Sequence, residues 1–412
     1  MERGRQNRAC EPRRVAPRVW SSRHVGCFHP LVGLAEVTAR DGEWESTISR
    51  AVFRVDASTR IGIGHLARCM RLARELQRYG VQCEFARRGP VDSLSQEFAT
   101  SWMNSDVFGL NDGETERRQL NECHKDVGEQ DADANEFLKQ LEPYSSESCA
   151  VVVDHYCLDV FWEKRIAPAV TTLVVIDDLA NRKHHCDILV DSAPLPAARY
   201  ANLVAATSSF LIGPEFALLD RTLELPPQQC EVVRQSQKPR VLATFGGSRN
   251  DVPVRLLLDA VEDLVTTHFD LDVVLPASVT SALRRDLESA GASVHGWRPD
   301  LPLLVAAAQL AVSAGGSTVF ECVRAGTPAI TIATASNQVA FAQAWNNLGL
   351  TRHLGGLDTV STGDLRRAIL DALNDTSWRD SVRMQAGTVV DGRGAQRVAS
   401  RMCGLREAGP LR

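Results

Sequence analysis

The segment at 53–69, FRVDASTRIGIGHLARC, restricts the possible folds more than any other part of the chain. An apolar run at 51–55 predicts a buried strand, which ends at Asp56 and leads into a glycine-containing loop. A helix is then predicted from about Gly64, with Gly80 in the position of a C-terminal cap. Its apolar face consists of Leu66, Cys69, Met70, Ala73 and Leu76. The segment therefore predicts the strand–loop–helix unit from which parallel α/β folds are built.

His65 lies in the first turn of this predicted helix, shortly after the strand that ends at Asp56. The positive end of the helix dipole disfavours an imidazolium there, and a neutral histidine is what a general base needs near pH 7. We therefore predict that His65 is a catalytic base and that Asp56 and Gly64 lie at the substrate. The alternative is that His65 is only a helix-start residue beside a tight turn.

The same loop also fits a dinucleotide-binding pattern, G-x-G-x-x-A, from Gly62 to Ala67. In that motif the first glycine normally follows the strand at once, whereas residues 57–61 intervene here. The next predicted strand is followed by Arg87 and Arg88 rather than by an acid placed to meet a ribose. The dinucleotide interpretation is the weaker of the two.

Length and composition limit the class of protein. A chain of 412 residues predicts two domains, and a net charge of −5 implies no general affinity for nucleic acid. No apolar run reaches about 18 residues, so we expect no membrane insertion. The 11 cysteines include no C-x-x-C pair, and we predict neither a metal site nor a cofactor. A cytoplasmic protein is expected, with a monomer as the default oligomeric state.

Changes in composition along the chain predict its domain boundaries. Residues 1–30 contain seven arginines against two glutamates, and we predict that residues 1–47 form a disordered or non-native extension; a transit peptide is an alternative. Three prolines and several glutamines mark 223–240 as a linker. It separates an N-terminal Rossmann-like domain at 48–222 from a C-terminal one at 241–385. Residues 386–412 are expected to cross back to the first domain.

Several predicted strands of the first domain end in an aspartate. Asp154, Asp178 and Asp191 each end an apolar run, as Asp56 does. The carboxyl ends of strands line the ligand crevice of an open α/β sheet, so these side chains are expected near one edge. The alternative, favoured for most of them, is that each aspartate caps the following helix or turn.

Two glycine-rich loops follow predicted strands in the second domain. Glycines after a strand let a phosphate approach the backbone, and a new helix directs free N–H groups at it. Glu321, one turn into the helix, is placed to accept hydrogen bonds from ribose hydroxyls. The alternative is two ordinary tight turns. The residues predicted to bind a nucleoside diphosphate are Gly246, Gly247, Ser248, Gly315, Gly316, Ser317, Thr318 and Glu321.

A third loop, at 336–338, follows the next predicted strand. The amides of Asn337 and Gln338 can both donate and accept, which suits a sugar or a water. We predict that both bind substrate, and the alternative is a turn with a helix cap.

The segment at 54–69 resembles the N-terminal signature of the PseG family, which hydrolyses UDP-2,4-diacetamido-2,4,6-trideoxy-β-L-altropyranose in pseudaminic acid biosynthesis. The resemblance extends from about Ala51 to about Val398. After Gly246 the chain departs from it, since RNDVP at 249–253 replaces the family's Asp-Pro and Asn-Thr. The further matching segments are VVDHYCLD at 152–159, IDDLANR at 176–182, LIGPEFALL at 211–219 and DGRGAQRV at 391–398.

The resemblance implies an α/β, GT-B-like fold, in which two Rossmann-like domains form a cleft. It implies a UDP-sugar substrate, with Tyr156 at the sugar, Asn337 at the cleft and inversion at the anomeric carbon. His65 would deprotonate the attacking water. Two alternatives stay open: a GT-B glycosyltransferase similar to the MurG type, and a non-catalytic UDP-sugar-binding protein.

Overall fold

The structure, a computed structural model, describes residues 46–56, 63–88, 107–110, 126–220, 238–246, 251–276, 279–296, 298 and 300–405. All of them belong to one compact unit, 44–412. Within these residues the backbone forms two parallel sheets with helices packed against them.

The first sheet has the strand order β3-β2-β1-β4-β5-β6-β7, and every neighbouring pair is parallel. The strands at 149–154, 172–176 and 188–191 are nearly continuous apolar runs because both faces of a parallel sheet are covered. The strands are β1 Arg50–Val55, β2 Gln82–Arg88, β3 Val107–Leu110, β4 Cys149–Asp154, β5 Thr172–Ile176, β6 Ile188–Asp191 and β7 Ser209–Ile212, and the helices are α1 Gly64–Arg78, α2 Val127–Leu141 and α3 Val160–Ile166.

The second sheet has the order β10-β9-β8-β11-β12-β13 and is also parallel. Its strands are β8 Arg240–Thr244, β9 Asp270–Val274, β10 Ser293–His295, β11 Leu310–Ala314, β12 Ala329–Ala333 and β13 Thr351–Gly356. The helices of this part are α4 Val252–Val261, α5 Ser281–Ser289, α6 Leu301–Ala307, α7 Thr318–Ala325, α8 Gln338–Asn347, α9 Thr362–Asn374 and α10 Thr376–Val389.

Strand order places a crevice at the same point of each sheet. In the first sheet the order reverses between β1 and β4, and in the second between β8 and β11. Loops leave in opposite directions at such a switch point, so the crevice at the carboxyl ends of these strands is where open α/β sheets bind ligands. The loops after β1 and β4, and after β8 and β11, are therefore the first places to look for a site.

The helix α11, Gly394–Met402, follows the second sheet in sequence but packs on the first. Its apolar face, which includes Val398 and Met402, joins the core formed by α1 and β1. The hydroxyls of Tyr79 and Ser400 are 2.9 Å apart, which joins α1 to α11 by a hydrogen bond. The end of the chain thus connects the two halves through packing as well as through sequence.

Candidate functional site

His65 contacts a buried carboxylate at the switch point of the first sheet. Its Nδ1 is 2.5 Å from Oδ1 of Asp154, the last residue of β4, whose side chain is fully buried. The two residues meet because α1 begins in the loop after β1, and β1 pairs with β4 so that Val55 lies beside Asp154. A carboxylate facing Nδ1 favours the tautomer with the proton on Nδ1, which leaves Nε2 as an acceptor.

Arg68, one turn after His65 on α1, contacts the same aspartate. Its Nε and Nη2 donate to the two carboxylate oxygens of Asp154 at 2.6 and 2.7 Å, and its Nη1 donates to Oδ2 of Asp178 at 2.8 Å. Burial raises the pKa of Asp154, but the charges of Arg68 and His65 and their hydrogen bonds outweigh it and hold this pKa well below its usual range. Asp154 is therefore an ionised buried carboxylate shared by His65 and Arg68, and the thiol of Cys69 also donates to its Oδ2 at 3.5 Å.

Tyr156 completes the surroundings of the histidine ring. The two ring centroids are 4.5 Å apart with an interplanar angle of 85°, an edge-to-face contact. Burial, and then the charge of Asp178, raise the pKa of Tyr156 well above its usual value, so its phenol remains a hydrogen-bond donor at neutral pH. The structure thus brings Tyr156 beside His65.

Asp56 has partners within the protein on both carboxylate oxygens. Arg54 Nη1 and the backbone N–H of Arg88 donate to Oδ1 at 2.5 and 2.8 Å, and Nε2 of His155 lies 2.9 Å from Oδ2. Arg54 is fully buried and also donates to Asp133 of α2. In this structure Asp56 anchors the end of β1 to its neighbours, and its role in binding substrate stays a prediction.

In the second half, the loop after β11 is shaped by close packing. Gly315 is buried, and an added Cβ would lie 2.9 Å from Cβ of Ala342 on α8. Gly316 follows, then Ser317 is exposed, and α7 begins at Thr318 with no side-chain capping bond at its N-terminus. The N–H groups of Val319 and Phe320 already donate to the backbone oxygens of Gly316 and Ser317 at 3.1 Å, which leaves the N–H of Thr318 in the first turn for an anion.

The loop after β8 contributes Gly246, which has a φ of +85°. Glycine reaches this left-handed region without the steric penalty of a side chain. Gly247 and Ser248, predicted to continue the UDP site, lie outside the described residues.

The histidine loop and the glycine loop lie close together. An added Cβ on Gly64 would be 3.9 Å from Oγ of Ser317. Further along the same two helices, Arg71 of α1 donates to Glu321 of α7 at 2.5 Å. Glu321, predicted to accept from ribose, is therefore part of an ion pair between the two halves.

Asn337 and Gln338 stand at the start of α8. Asn337 is exposed, while Oε1 of Gln338 accepts from the backbone N–H of Thr334 at 2.9 Å. The Nε2 group of Gln338 would be 3.8 Å from a Cβ added to Gly316. Gln338 therefore borders the glycine loop, and its amide nitrogen faces that loop.

The sequence analysis did not predict that Asp154 and Arg68 would contact His65. Capping, the alternative favoured for most strand-end aspartates, fits Asp191, which accepts from the N–H of Ala193, whereas Asp154 contacts the side chain of His65. For Arg68 the sequence did contain a signal, since its spacing of three residues from His65 puts both side chains on one side of α1.

Within the described residues no group of three or more His, Cys, Asp or Glu could hold a metal ion. No helix among them is long and apolar enough to span a membrane.

Comparison with solved structures establishes the class of fold. The chain has the GT-B fold, two parallel α/β sheets with helices, which it shares with glycosyltransferases of low sequence identity. It is similar to the spinosyn rhamnosyltransferase SpnG in complex with thymidine diphosphate, with a TM-score of 0.63 and 16% identity, over 86% of this chain and 100% of that one.

Two further structures have the same fold. One is MurG of Acinetobacter baumannii, with a TM-score of 0.57, 13% identity and coverage of 86% of this chain and 100% of that one. The other is UGT89C1 of Arabidopsis thaliana in complex with UDP, with a TM-score of 0.59, 12% identity and coverage of 86% and 100%. No protein-family model matches the chain, and no curated protein matches it.

Proposed function

We propose that this protein is an enzyme that cleaves the anomeric C–O bond of a UDP-activated sugar, with His65 as the general base. The observation that carries the proposal is the His65–Asp154 pair beside the glycine loop, where Gly64 comes close to Ser317. Such a pair accepts a proton from a nucleophile, and the glycine loop together with the N–H of Thr318 at the start of α7 suits a diphosphate. The base and the groups that bind the leaving nucleoside diphosphate would then lie side by side.

In this mechanism Nε2 of His65 takes the proton of the attacking O–H group while its oxygen bonds to the anomeric carbon. The electron pair of the breaking C–O bond leaves with UDP. Asp154 holds the imidazole through Nδ1 and stabilises the imidazolium that forms, as the aspartate does in other His–Asp pairs. N–H groups at the start of α7 and in the loops after β8 and β11 stabilise the negative charge on UDP.

We further propose where the nucleotide binds. UDP would lie on the second half, with its diphosphate on Gly315, Gly316, Ser317 and Thr318, and the sugar would extend toward His65 and Tyr156. Glu321 would bind the ribose, and Gly246 with the residues after it would contact the diphosphate. Asn337 and Gln338 would then border the sugar.

Two nucleophiles fit this site, and different observations favour them. The resemblance of 54–69 to the PseG family favours water, with a free diacetamido-trideoxyhexose as the product. The GT-B glycosyltransferases with the same fold favour the hydroxyl of an acceptor, with a glycoside as the product. The fold comparison gives more weight to transfer, and the sequence motif gives more weight to hydrolysis.

The test incubates the chain with UDP-diacetamido-trideoxyhexoses and other UDP-sugars, with and without acceptor sugars. Stoichiometric free sugar without an acceptor supports hydrolysis, and NMR of the first-formed anomer tests inversion. UDP release that requires an acceptor supports transfer. Calorimetric UDP binding without any turnover would instead support a non-catalytic binding protein.

The matched variant for this test is His65→Asn. Loss of a general base lowers the rate by about 10²- to 10⁴-fold, whereas UDP binding should persist because its proposed contacts lie in the second half. If His65→Asn releases UDP within a few-fold of the parent rate, His65 is not the base and the mechanism fails.

A further inference from the structure

We propose that Arg68 is a positioning residue for the His65–Asp154 pair, and that Arg68 and Asp178 together set the pH range in which His65 accepts a proton. The inference rests on the proposed role of His65 as general base. Both side chains lie in segments that resemble the PseG family, at 54–69 and 176–182, but the resemblance gives neither of them a role.

The first support is the geometry around Asp154. Arg68 binds both of its carboxylate oxygens, at 2.6 and 2.7 Å, while His65 Nδ1 approaches Oδ1 at 2.5 Å. Such a bidentate contact holds the plane of the carboxylate, and the carboxylate in turn holds the imidazole. Nη2 of Arg68 also lies 3.2 Å from Nδ1 of His65, so the guanidinium is in direct reach of the ring.

The same geometry fixes which histidine nitrogen is free. Arginine has no acceptor, and Asp154 is ionised, so an unprotonated Nδ1 would set its lone pair against a carboxylate oxygen. Both His65 Nδ1–H and Arg68 Nη2–H therefore donate to Oδ1 of Asp154, and Nε2 keeps the lone pair that a base needs.

The second support is the balance of charge around the ring. The carboxylates of Asp154, at the end of β4, and Asp178, after β5, favour a proton on His65, while Arg68 opposes it. Burial, then Asp178, raise the pKa of Tyr156, and burial, then Asp154, raise the pKa of Cys69, so neither adds charge at neutral pH. From the second half, Ser317 comes near this end of α1 and carries no charge.

Opposite shifts follow for the two substitutions. Arg68→Gln leaves two carboxylates without their cation, so His65 holds its proton to a higher pH. Asp178→Asn leaves Arg68 balanced by Asp154 alone, so His65 loses its proton at a lower pH. Arg68 lies 3.2 Å from Nδ1 of His65, so its loss should move the acidic limb of the pH–rate profile by about one to three units, while loss of Asp178, which contacts Arg68, should move it by less.

The experiment measures kcat for UDP release from pH 5 to 9 in the parent, Arg68→Gln, Arg68→Lys and Asp178→Asn. The acidic limb should move up for Arg68→Gln and down for Asp178→Asn. Arg68→Lys keeps the charge but not the bidentate contact, so it should lower kcat while leaving the limb near its parental position. Arg74→Gln is the control, since Arg74 lies on the same helix but pairs with Asp220.

A second readout does not depend on turnover. The imidazole resonances of His65, assigned by their loss in His65→Asn, are titrated by NMR without substrate, and their midpoint should shift in the same two directions. A midpoint in Asp178→Asn equal to that of the parent would overturn the inference even if Arg68→Gln does not fold. Shifted midpoints with no UDP release at any pH would support the inference and refute the proposed function.

Discussion

At the scale of single residues, Asp154 determines how His65 can act, because it is the only described carboxylate in contact with Nδ1 of that histidine. Asparagine at this position has nearly the same shape but can present an N–H group to Nδ1. The imidazole would then adopt the other tautomer, with its proton on Nε2. A general base needs a lone pair on that nitrogen.

We therefore expect Asp154→Asn to lower kcat by about 10²- to 10⁴-fold, within the range for losing general-base catalysis. Calorimetric UDP affinity should stay within a few-fold of the parent. The measurement is the steady-state rate beside UDP binding on the same preparation. A variant that keeps the parental kcat would show that Asp154 only supports the fold.

A second residue-scale prediction concerns Asp191, the last residue of β6. Burial raises the pKa of Asp191 to about 6, although Arg199 and the N–H of Ala193 oppose the shift. Because the folded pKa lies above the unfolded value, the free energy of unfolding falls as pH rises from about 4 to 6 and stays lower above that. A shift of about two units corresponds to about 3 kcal/mol at most.

The attraction of Arg199 is already included in this shift, so we expect Asp191→Asn to gain about 1–3 kcal/mol at pH 8 and to change little at pH 4. The measurement is the melting temperature of variant and parent at both pH values. A variant less stable than the parent at pH 8 would contradict this reading of Asp191.

At the scale of elements, the close packing of α11 against the first sheet depends on a glycine. Gly394 starts α11 and is buried, and an added Cβ would overlap the backbone of Phe216 and Ala217. Backbone cannot move aside as a side-chain tip can. A larger residue must therefore push α11 away from the first sheet.

We expect Gly394→Ala to lower the free energy of unfolding by about 1–3 kcal/mol, the range for overpacking. Gly387→Ala is the matched control, because Gly387 lies inside α10 with no atom within 4 Å of an added Cβ. Helix propensity alone should make that control more stable by about 0.5–1 kcal/mol. Denaturant unfolding of both variants would refute the packing argument if they change stability in the same direction.

At the scale of the whole molecule, the Arg71–Glu321 pair joins the two halves near the proposed nucleotide site. Both side chains are largely buried, and the two residues are 250 positions apart in sequence. Nη1 of Arg71 also donates to the backbone oxygen of Leu218 at 3.3 Å. A ribose that binds Glu321 must therefore share this carboxylate with Arg71.

Glu321→Ala should weaken UDP binding by about 1–3 kcal/mol, the range for losing a hydrogen bond to a charged group. Arg71→Gln breaks the same ion pair but keeps the carboxylate, so it should retain UDP binding. Calorimetry on both variants separates the two roles of Glu321. Equal losses would assign the effect to the contact between halves, and unchanged affinity in Glu321→Ala would reject the ribose assignment.

Much of the fold was predictable because it depends on local patterns. Period-3.6 spacing predicted the buried face of α1, and all five residues of that face are buried. Apolar runs that end at aspartates or glycines predicted strands of both sheets, since a parallel sheet covered on both faces needs continuous apolar segments. These signals predicted the α/β class, and comparison with solved structures confirmed the GT-B fold.

The side-chain partners in the site were not predictable in the same way. Asp154 is 89 residues from His65, and Asp178 is 110 residues from Arg68. Asp56 could be placed at a strand end from the sequence. Nothing in the neighbouring sequence indicated that His155 and the backbone of Arg88 would contact its carboxylate. Such contacts depend on which strands become neighbours, and strand order is set by the packing of the whole sheet.

The sequence alone therefore determined the elements and the position of His65 in the first turn of α1, because hydrophobic period and glycine placement act over a few residues. Only the tertiary structure decided that β4 lies beside β1, which brings Asp154 under His65 and Arg68. It also decided that α7 meets α1 through Glu321 and Arg71. The reason is physical: burial of a charged group requires a partner, and that partner is supplied by whichever distant segment the packed sheets bring into contact.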